Sequence, residues 1–297
     1  MLVRLLAGLV LTTAGCGQAP DPPPFDGEAA LAYARTQLEF GYRIPGTEGH
    51  RRMGDWLDST LRARADEVLV QSWDHTAADG SALPLRNFIA RFNPAAADRI
   101  LLVAHWDTRP IADAPDSRDS AAVPGANDGA SGVAVLLGVA DVLKAHPAPI
   151  GVDLLFVDGE DYGSFAQERD VLLGSKYYAK NPAPGPTPLF AVVFDMVGDA
   201  DLQIYQESYS LTGAPEIVDR VWQVAADLGY REVFIPQGRH TITDDHIPLQ
   251  EVGIRAIDLI DFDYPHWHTV EDTIDKLSAR SLGIVGHVAL GVIWRGR

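Results

Sequence analysis

The chain has 297 residues, a formal net charge of −17 and a single cysteine. That length suits one large α/β domain with a well-buried core, and a lone cysteine rules out an internal disulfide framework. The acidic balance argues against nucleic acid and anionic membrane surfaces as partners, and most of its carboxylates belong to a solvated surface.

In chain order the first readable segment is MLVRLLAGLVLTTAGC. Arg4 precedes a short apolar run, the small residues Ala14 and Gly15 follow, and Cys16 comes next. This reads as a secretion signal over residues 1–15 ending in a lipoprotein box, with Thr13 where Leu is usual. Cys16 is therefore the expected lipid-attachment residue. Residues 16–26 form a Pro-rich tether too polar and stiff to join a core, and residues 27–297 form a single catalytic domain. Gly17 rather than Asp after the cysteine suggests the outer membrane. The expectation is an exported, periplasmic lipoprotein that meets the membrane only through its lipid.

Helical patterning covers Glu28–Arg43 and Gly49–Arg64. Strand-like runs follow at Val68–Gln71, Asn87–Phe92 and Arg99–Ala104, then a helix over Ser131–His146. Val152–Val157 and Leu189–Phe194 are nearly continuous apolar runs, the pattern of strands buried on both faces. Between them lie the helix Leu173–Lys180 and a loop punctuated by Pro182, Pro184, Pro186 and Pro188. Helices over Pro215–Leu228 and Ser278–Trp294 complete a three-layer α/β/α sandwich around a mixed, mostly parallel sheet.

The chemistry concentrates where apolar runs end, because strand exits in open α/β sheets are where ligands bind. Glu160 and Asp161 leave the run in GVDLLFVDGEDYG, and consecutive residues there point in different directions, so one can hold a metal while the other moves a proton. His105 and Asp107 leave the run in LLVAHWDT on one face. Asp128 lies among the glycines of PGANDGASG before a helix, where it can cap or bind. Asp195 ends the run in FDMVG. His266 and His268 lie in DFDYPHWHT, with His268 read as the ligand and His266 as a loop residue. An Asp, an acidic residue and a His from three loops form an N/O donor set that suits zinc and leaves a position open. Asp113, Asp116 and Asp119 in the long loop Thr108–Ala126 lack a full calcium loop and read as solvated surface.

The ordered motifs AHWD, PGANDGASG, DGEDYG, FDMVG, TDDHIP and HWHT resemble the zinc-dependent glutaminyl cyclases, within the wider superfamily of co-catalytic zinc aminopeptidases. The resemblance runs from about Ile44 to the C-terminus. It implies a zinc-aminopeptidase-like fold, one catalytic zinc on Asp128, Asp161 and His268, and proton handling by Glu160, Asp195 and Asp244. His105 and Asp107 would support the site or hold a second metal, and Trp267 would floor a substrate pocket. Asp161 stands where animal cyclases carry Glu, as bacterial forms do.

Three features resemble cyclases more than peptidases. Gly174-Ser175 comes only after an insertion, Gly163–Leu173. Asp244-Asp245-His246 stands where peptidases carry Ser-Asp-His. Trp267 immediately precedes His268. The expected partner is a peptide or protein with an N-terminal glutamine, and the expected state a monomer. A two-zinc aminopeptidase and a non-catalytic binding domain are the alternatives.

Overall fold

The computed structural model describes residues 21–115 and 120–295. In chain order its elements are α1 (Gly27–Glu39), α2 (Glu48–Arg62), β1 (Glu67–Thr76), β2 (Ala82–Phe92), β3 (Arg99–His105), α3 (Ala130–Ala145), β4 (Gly151–Val157), α4 (Leu173–Lys180), β5 (Ala191–Asp195), β6 (Ile204–Gln206), α5 (Ser208–Gly213), α6 (Pro215–Asp227), β7 (Phe234–Gly238), α7 (His246–Glu251), β8 (Ala256–Ile260) and α8 (Ala279–Arg295). The expected signal segment and Cys16 lie outside the described residues, as do Asp116 and Asp119.

Six strands form one mixed sheet in the order β1-β2-β4-β3-β5-β8. β4, β3, β5 and β8 run parallel, while β1 and β2 add an antiparallel edge. β3 and β4 are buried along their whole length, as their apolar runs require. α1, α3, α6 and α8 pack into the larger core on one face. α4 and α7 cover the other face over Leu101, Val103, Leu155 and Val193.

β1 and β2 extend well past their apolar runs, to Thr76 and back to Ala82. Their antiparallel ladder pairs every residue from Glu67–Arg91 to Thr76–Ala82, so backbone pairing carries polar residues into the hairpin. The short pair β6 and β7 and the single-turn helices α5 and α7 have no such signal in the sequence. α3 lies close against β5: a Cβ at Gly132 would meet the Phe194 carbonyl oxygen at 2.0 Å, so glycine is required there.

Two features set the stage for a site. The four parallel strands place His105, the loop after Val157, Asp195 and the loop after Ile260 along one edge of the sheet. The opposite end of β4 carries a buried charge cluster of its own. Asp153 accepts from Arg99 Nε at 2.8 Å and Nη2 at 2.7 Å, and from Arg91 Nε at 3.2 Å.

Candidate active site

At the carboxyl edge of the sheet a cavity of about 390 Å³ opens between loops. That is the size of a small-molecule pocket. Its floor carries Asp128, Glu160, Asp161, Asp195, Asp244 and His268, and its walls include Phe165, Ile242, Phe262 and Trp267.

Asp128 does not cap α3. The helix starts at Ala130 behind Gly129 with no side-chain cap. Instead Asp272, from beyond β8, accepts from the backbone N–H groups of Asn127 at 2.8 Å and Asp128 at 3.2 Å. The Asp128 carboxylate faces two imidazoles: Oδ1 lies 3.1 Å from His105 Nε2, and Oδ2 lies 3.7 Å from His268 Nε2. Asp128 thus joins two groups whose donor atoms converge, Asp128–Asp161–His268 and His105–Asp128–Asp195. A third buried group, Asp244–His246–Asp258, lies among the described residues as well.

Asp107 takes part in neither of the first two. Its two oxygens accept from the consecutive N–H groups of Glu160 and Asp161, each at 3.1 Å. It therefore sets the turn that presents the acid pair, and lies 3.5 Å behind His105 Nδ1. His105 Nε2 reaches Asp195 Oδ1 at 3.1 Å, and Glu160 Oε2 lies 3.8 Å from His105 Nδ1.

Burial with few neutralising partners moves the titrations. Desolvation pushes the Glu160 carboxyl well above its ordinary range, and Asp161, Asp244 and Asp245 add to that while His105 opposes it. Burial raises Asp195 to about 7 against the pull of His105, and raises Asp244 too. For His268, burial disfavours the charged ring, but Asp161, Asp113 and Asp128 outweigh it and lift the pKa to about 9. Perturbation of several groups in one cleft is the pattern of a functional site.

The donor set fits a zinc ion. Asp161 Oδ2 is buried and has no hydrogen-bond partner. His268 Nε2 faces carboxylates at 3.4 and 3.7 Å, while its Nδ1 is held by Asp113 Oδ1 at 2.8 Å. Two carboxylates and one imidazole, with a cavity on the remaining side, match an open zinc site. His268 has a left-handed backbone, φ 54°, which a non-glycine residue adopts at some energetic expense.

Trp267 lines the cavity and stacks on His268, with ring centroids 3.9 Å apart. His266 stays in its loop, edge-on to Tyr264. Asp113 corrects the surface reading. Although its side chain is 48% exposed, it binds both His268 and the guanidinium of Arg109. Arg109 itself, quoted only as part of HWDTRP, is buried against Asp161 and Asp113. Nothing local in the sequence marks it, since i, i+4 neighbours meet on a helix and residues 109–113 lie in a loop. Phe165 and Phe262 also reach the cavity, and nothing local distinguishes them from packing residues.

Residues 87–293 match the model of peptidase family M28, and the chain belongs to that family. The glutaminyl-peptide cyclotransferase-like protein of Bos taurus is 27% identical over 263 residues, covering 78% of this chain. The chain spans about two thirds (66%) of that relative's length. A glutaminyl cyclase of Bacteroides thetaiotaomicron, solved with N-acetylhistamine bound, superposes with a TM-score of 0.88 at 37% identity, covering 93% of this chain and 100% of its own. A leucine aminopeptidase precursor from the same species gives 0.89 at 37% identity, covering 94% and 100%. Its fold is thus the mixed α/β sandwich of zinc-aminopeptidase-like glutaminyl cyclases.

Proposed function

We propose that this chain is a zinc-dependent glutaminyl-peptide cyclotransferase, closing N-terminal glutamine to pyroglutamate with release of ammonia. One observation carries the choice over peptide hydrolysis. The cavity is walled by Ser164, Phe165 and Ala166 on one side and by Thr241 to Asp244 on the other. These are the insertion and the Asp-Asp-His segment at which the chain resembles cyclases, so its cyclase-like departures converge on the reacting space. The similarity to the bovine and Bacteroides cyclases supports the same reading.

Asp128, Asp161 and His268 would hold the zinc, which supplies Lewis acidity toward the carboxamide oxygen. The substrate's α-amine and γ-carboxamide belong to one residue, so attack is intramolecular and positioning supplies much of the acceleration. Trp267, Phe262 and Ile260 enclose the glutamine side chain. Glu160 takes the proton from the attacking amine as the new C–N bond forms. It returns a proton to the departing nitrogen as the old C–N bond breaks. Burial raises its pKa above the ordinary carboxylate range, which favours a group that must both take and return a proton. Asp195 and Asp244, at the same cavity floor, share protons with it.

A two-zinc aminopeptidase is the second reading, favoured by the convergence of His105, Asp128 and Asp195. Incubation with a Gln-initiated peptide separates the two. Pyroglutamyl peptide plus ammonia is expected, whereas free glutamine plus a shortened peptide means hydrolysis. The enzyme works as a periplasmic lipoprotein anchored through Cys16. Cys16→Ser should appear in the soluble fraction or stall in processing, and membrane association of a lipid-free wild type would refute the anchor.

A further inference from the structure

Arg109 and Asp113, in the loop after β3, are not zinc ligands themselves, yet together they grip two of them. Arg109 Nε donates to Asp113 Oδ1 at 2.7 Å, and its Nη2 to Asp113 Oδ2 at 2.5 Å, a two-point fork. Its Nη1 donates to Asp161 Oδ1, and also to the Asp161 backbone oxygen at 3.2 Å. Nη2 reaches the Gly163 carbonyl at 3.3 Å. Asp113 Oδ1 in turn binds His268 Nδ1 at 2.8 Å, and the N–H of Ala114 donates to the His268 carbonyl at 3.3 Å.

The bonds divide each side chain in the same way. Asp161 has one oxygen held by the guanidinium while Oδ2 is buried without a partner. His268 has Nδ1 held by Asp113 while Nε2 faces Asp161 and Asp128. His268 thus keeps Nε2 toward the carboxylates, and Asp161, whose held Oδ1 lies 3.4 Å from that nitrogen, keeps a second oxygen that no protein group has claimed.

We propose that Arg109 and Asp113 act together as a positioning clamp that presets Asp161 and His268 for metal before any ion arrives. The clamp rests on the zinc assignment given above. The pair adds no net charge beside the ion, so its contribution is orientation. A histidine ligand whose second nitrogen is held by a carboxylate keeps one tautomer and one ring angle. The planar fork of arginine matches two acceptor groups at once, which a lysine ammonium cannot. The left-handed backbone of His268 is the kind of strained residue that surrounding bonds must hold in place.

Charge and geometry make opposite forecasts, which gives the test its force. Zinc affinity of the full chain is measured by chelator competition for wild type, Arg109→Lys, Arg109→Met, Asp113→Asn and the Arg109→Met/Asp113→Asn double variant. A clamp predicts that every single substitution weakens zinc about 10- to 100-fold, the scale of second-layer ligand partners. It also predicts that the double variant binds no worse than the weaker single, because each breaks the same unit. Cobalt-substituted variants should show a shifted visible spectrum. If charge alone matters, Arg109→Met tightens zinc and Arg109→Lys leaves it unchanged, and either result overturns the clamp. Arg109→Lys keeps the buried charge and so guards against loss of folding. His268→Ala separates the two layers of the argument. Zinc retained at wild-type affinity there removes the ligand assignment and the clamp with it. Zinc lost there, with all Arg109 and Asp113 variants at wild-type affinity, removes the clamp alone.

Discussion

The two ends of β4 hold buried charges under opposite rules. At its start, Asp153 receives bonds from Arg99 and Arg91 on both oxygens, and Arg91 extends to Glu67 at 3.2 Å. At its far end, Glu160, Asp161 and Asp244 crowd around His105, His268, Arg109 and His246, and Asp161 Oδ2 and Asp244 Oδ2 are left without a hydrogen-bond partner. Burying charge is costly unless it is paired and hydrogen-bonded. The first cluster meets that demand and serves the fold. The second leaves it partly unmet, and the unmet capacity is what a metal and a substrate can fill.

The sharpest way to break the comparison is Asp153→Ala. It strands the buried Arg99 guanidinium and leaves Arg91 with Glu67 as its remaining carboxylate, so chemical denaturation should report a loss of about 3–5 kcal/mol. Zinc affinity of the folded fraction should not change, and a coupled loss of zinc would mean the two ends are not independent.

Next in size is Glu160→Gln, which keeps shape and removes the titrating group. Turnover should fall by about a hundredfold or more, the usual scale of acid–base catalysis, with zinc still bound. Activity near wild type would mean the proton travels by another group.

A smaller effect is written into His268. In the metal-free site its pKa lies at about 9, so zinc must displace a proton at neutral pH. Zinc affinity should climb with pH by up to about tenfold per unit, the slope for one displaced proton, and flatten above about 9. A flat profile between pH 6 and 8 would contradict a protonated ligand.

The smallest effect concerns stability without metal. Because burial holds Glu160 well above its unfolded pKa, its contribution is fully present below about pH 4 and is lost as pH rises toward the folded pKa. Glu160→Gln removes that loss. Chelator-treated variant and wild type should melt together at pH 4, with the variant higher by a few degrees on the alkaline side. This would be the reverse of the Asp153 result, and equal melting at both pH values would blunt the contrast.

Much of this site is legible in the chain because strand exits announce themselves. The apolar runs ending at Ala104 and Phe194 are followed directly by His105 and Asp195, and those ending at Val157 and Ile260 lead through short loops to Glu160 and Asp161 and to the HWHT segment. The alignment of those exits on one edge follows from a parallel sheet, so the convergence of Asp128, Asp161 and His268 could be anticipated. Asp113 could not. It sits in a long loop whose polar, proline-containing sequence has no periodicity, and only closure of that loop over the site brings it within 2.8 Å of a histidine 155 positions away.

By itself, then, the sequence determines the α/β alternation, the positions of the strand exits and the donor types found there, since these are matters of local pattern and side-chain chemistry. The tertiary structure alone decides which atoms are spent and which are spare. Asp107 has both oxygens taken by backbone N–H groups, Asp161 has one oxygen left over, and Asp128 has its backbone N–H held by Asp272 while its carboxylate caps nothing. Hydrogen-bond saturation depends on neighbours brought in across long loops, and no periodicity along the chain encodes which carboxylate they will leave free.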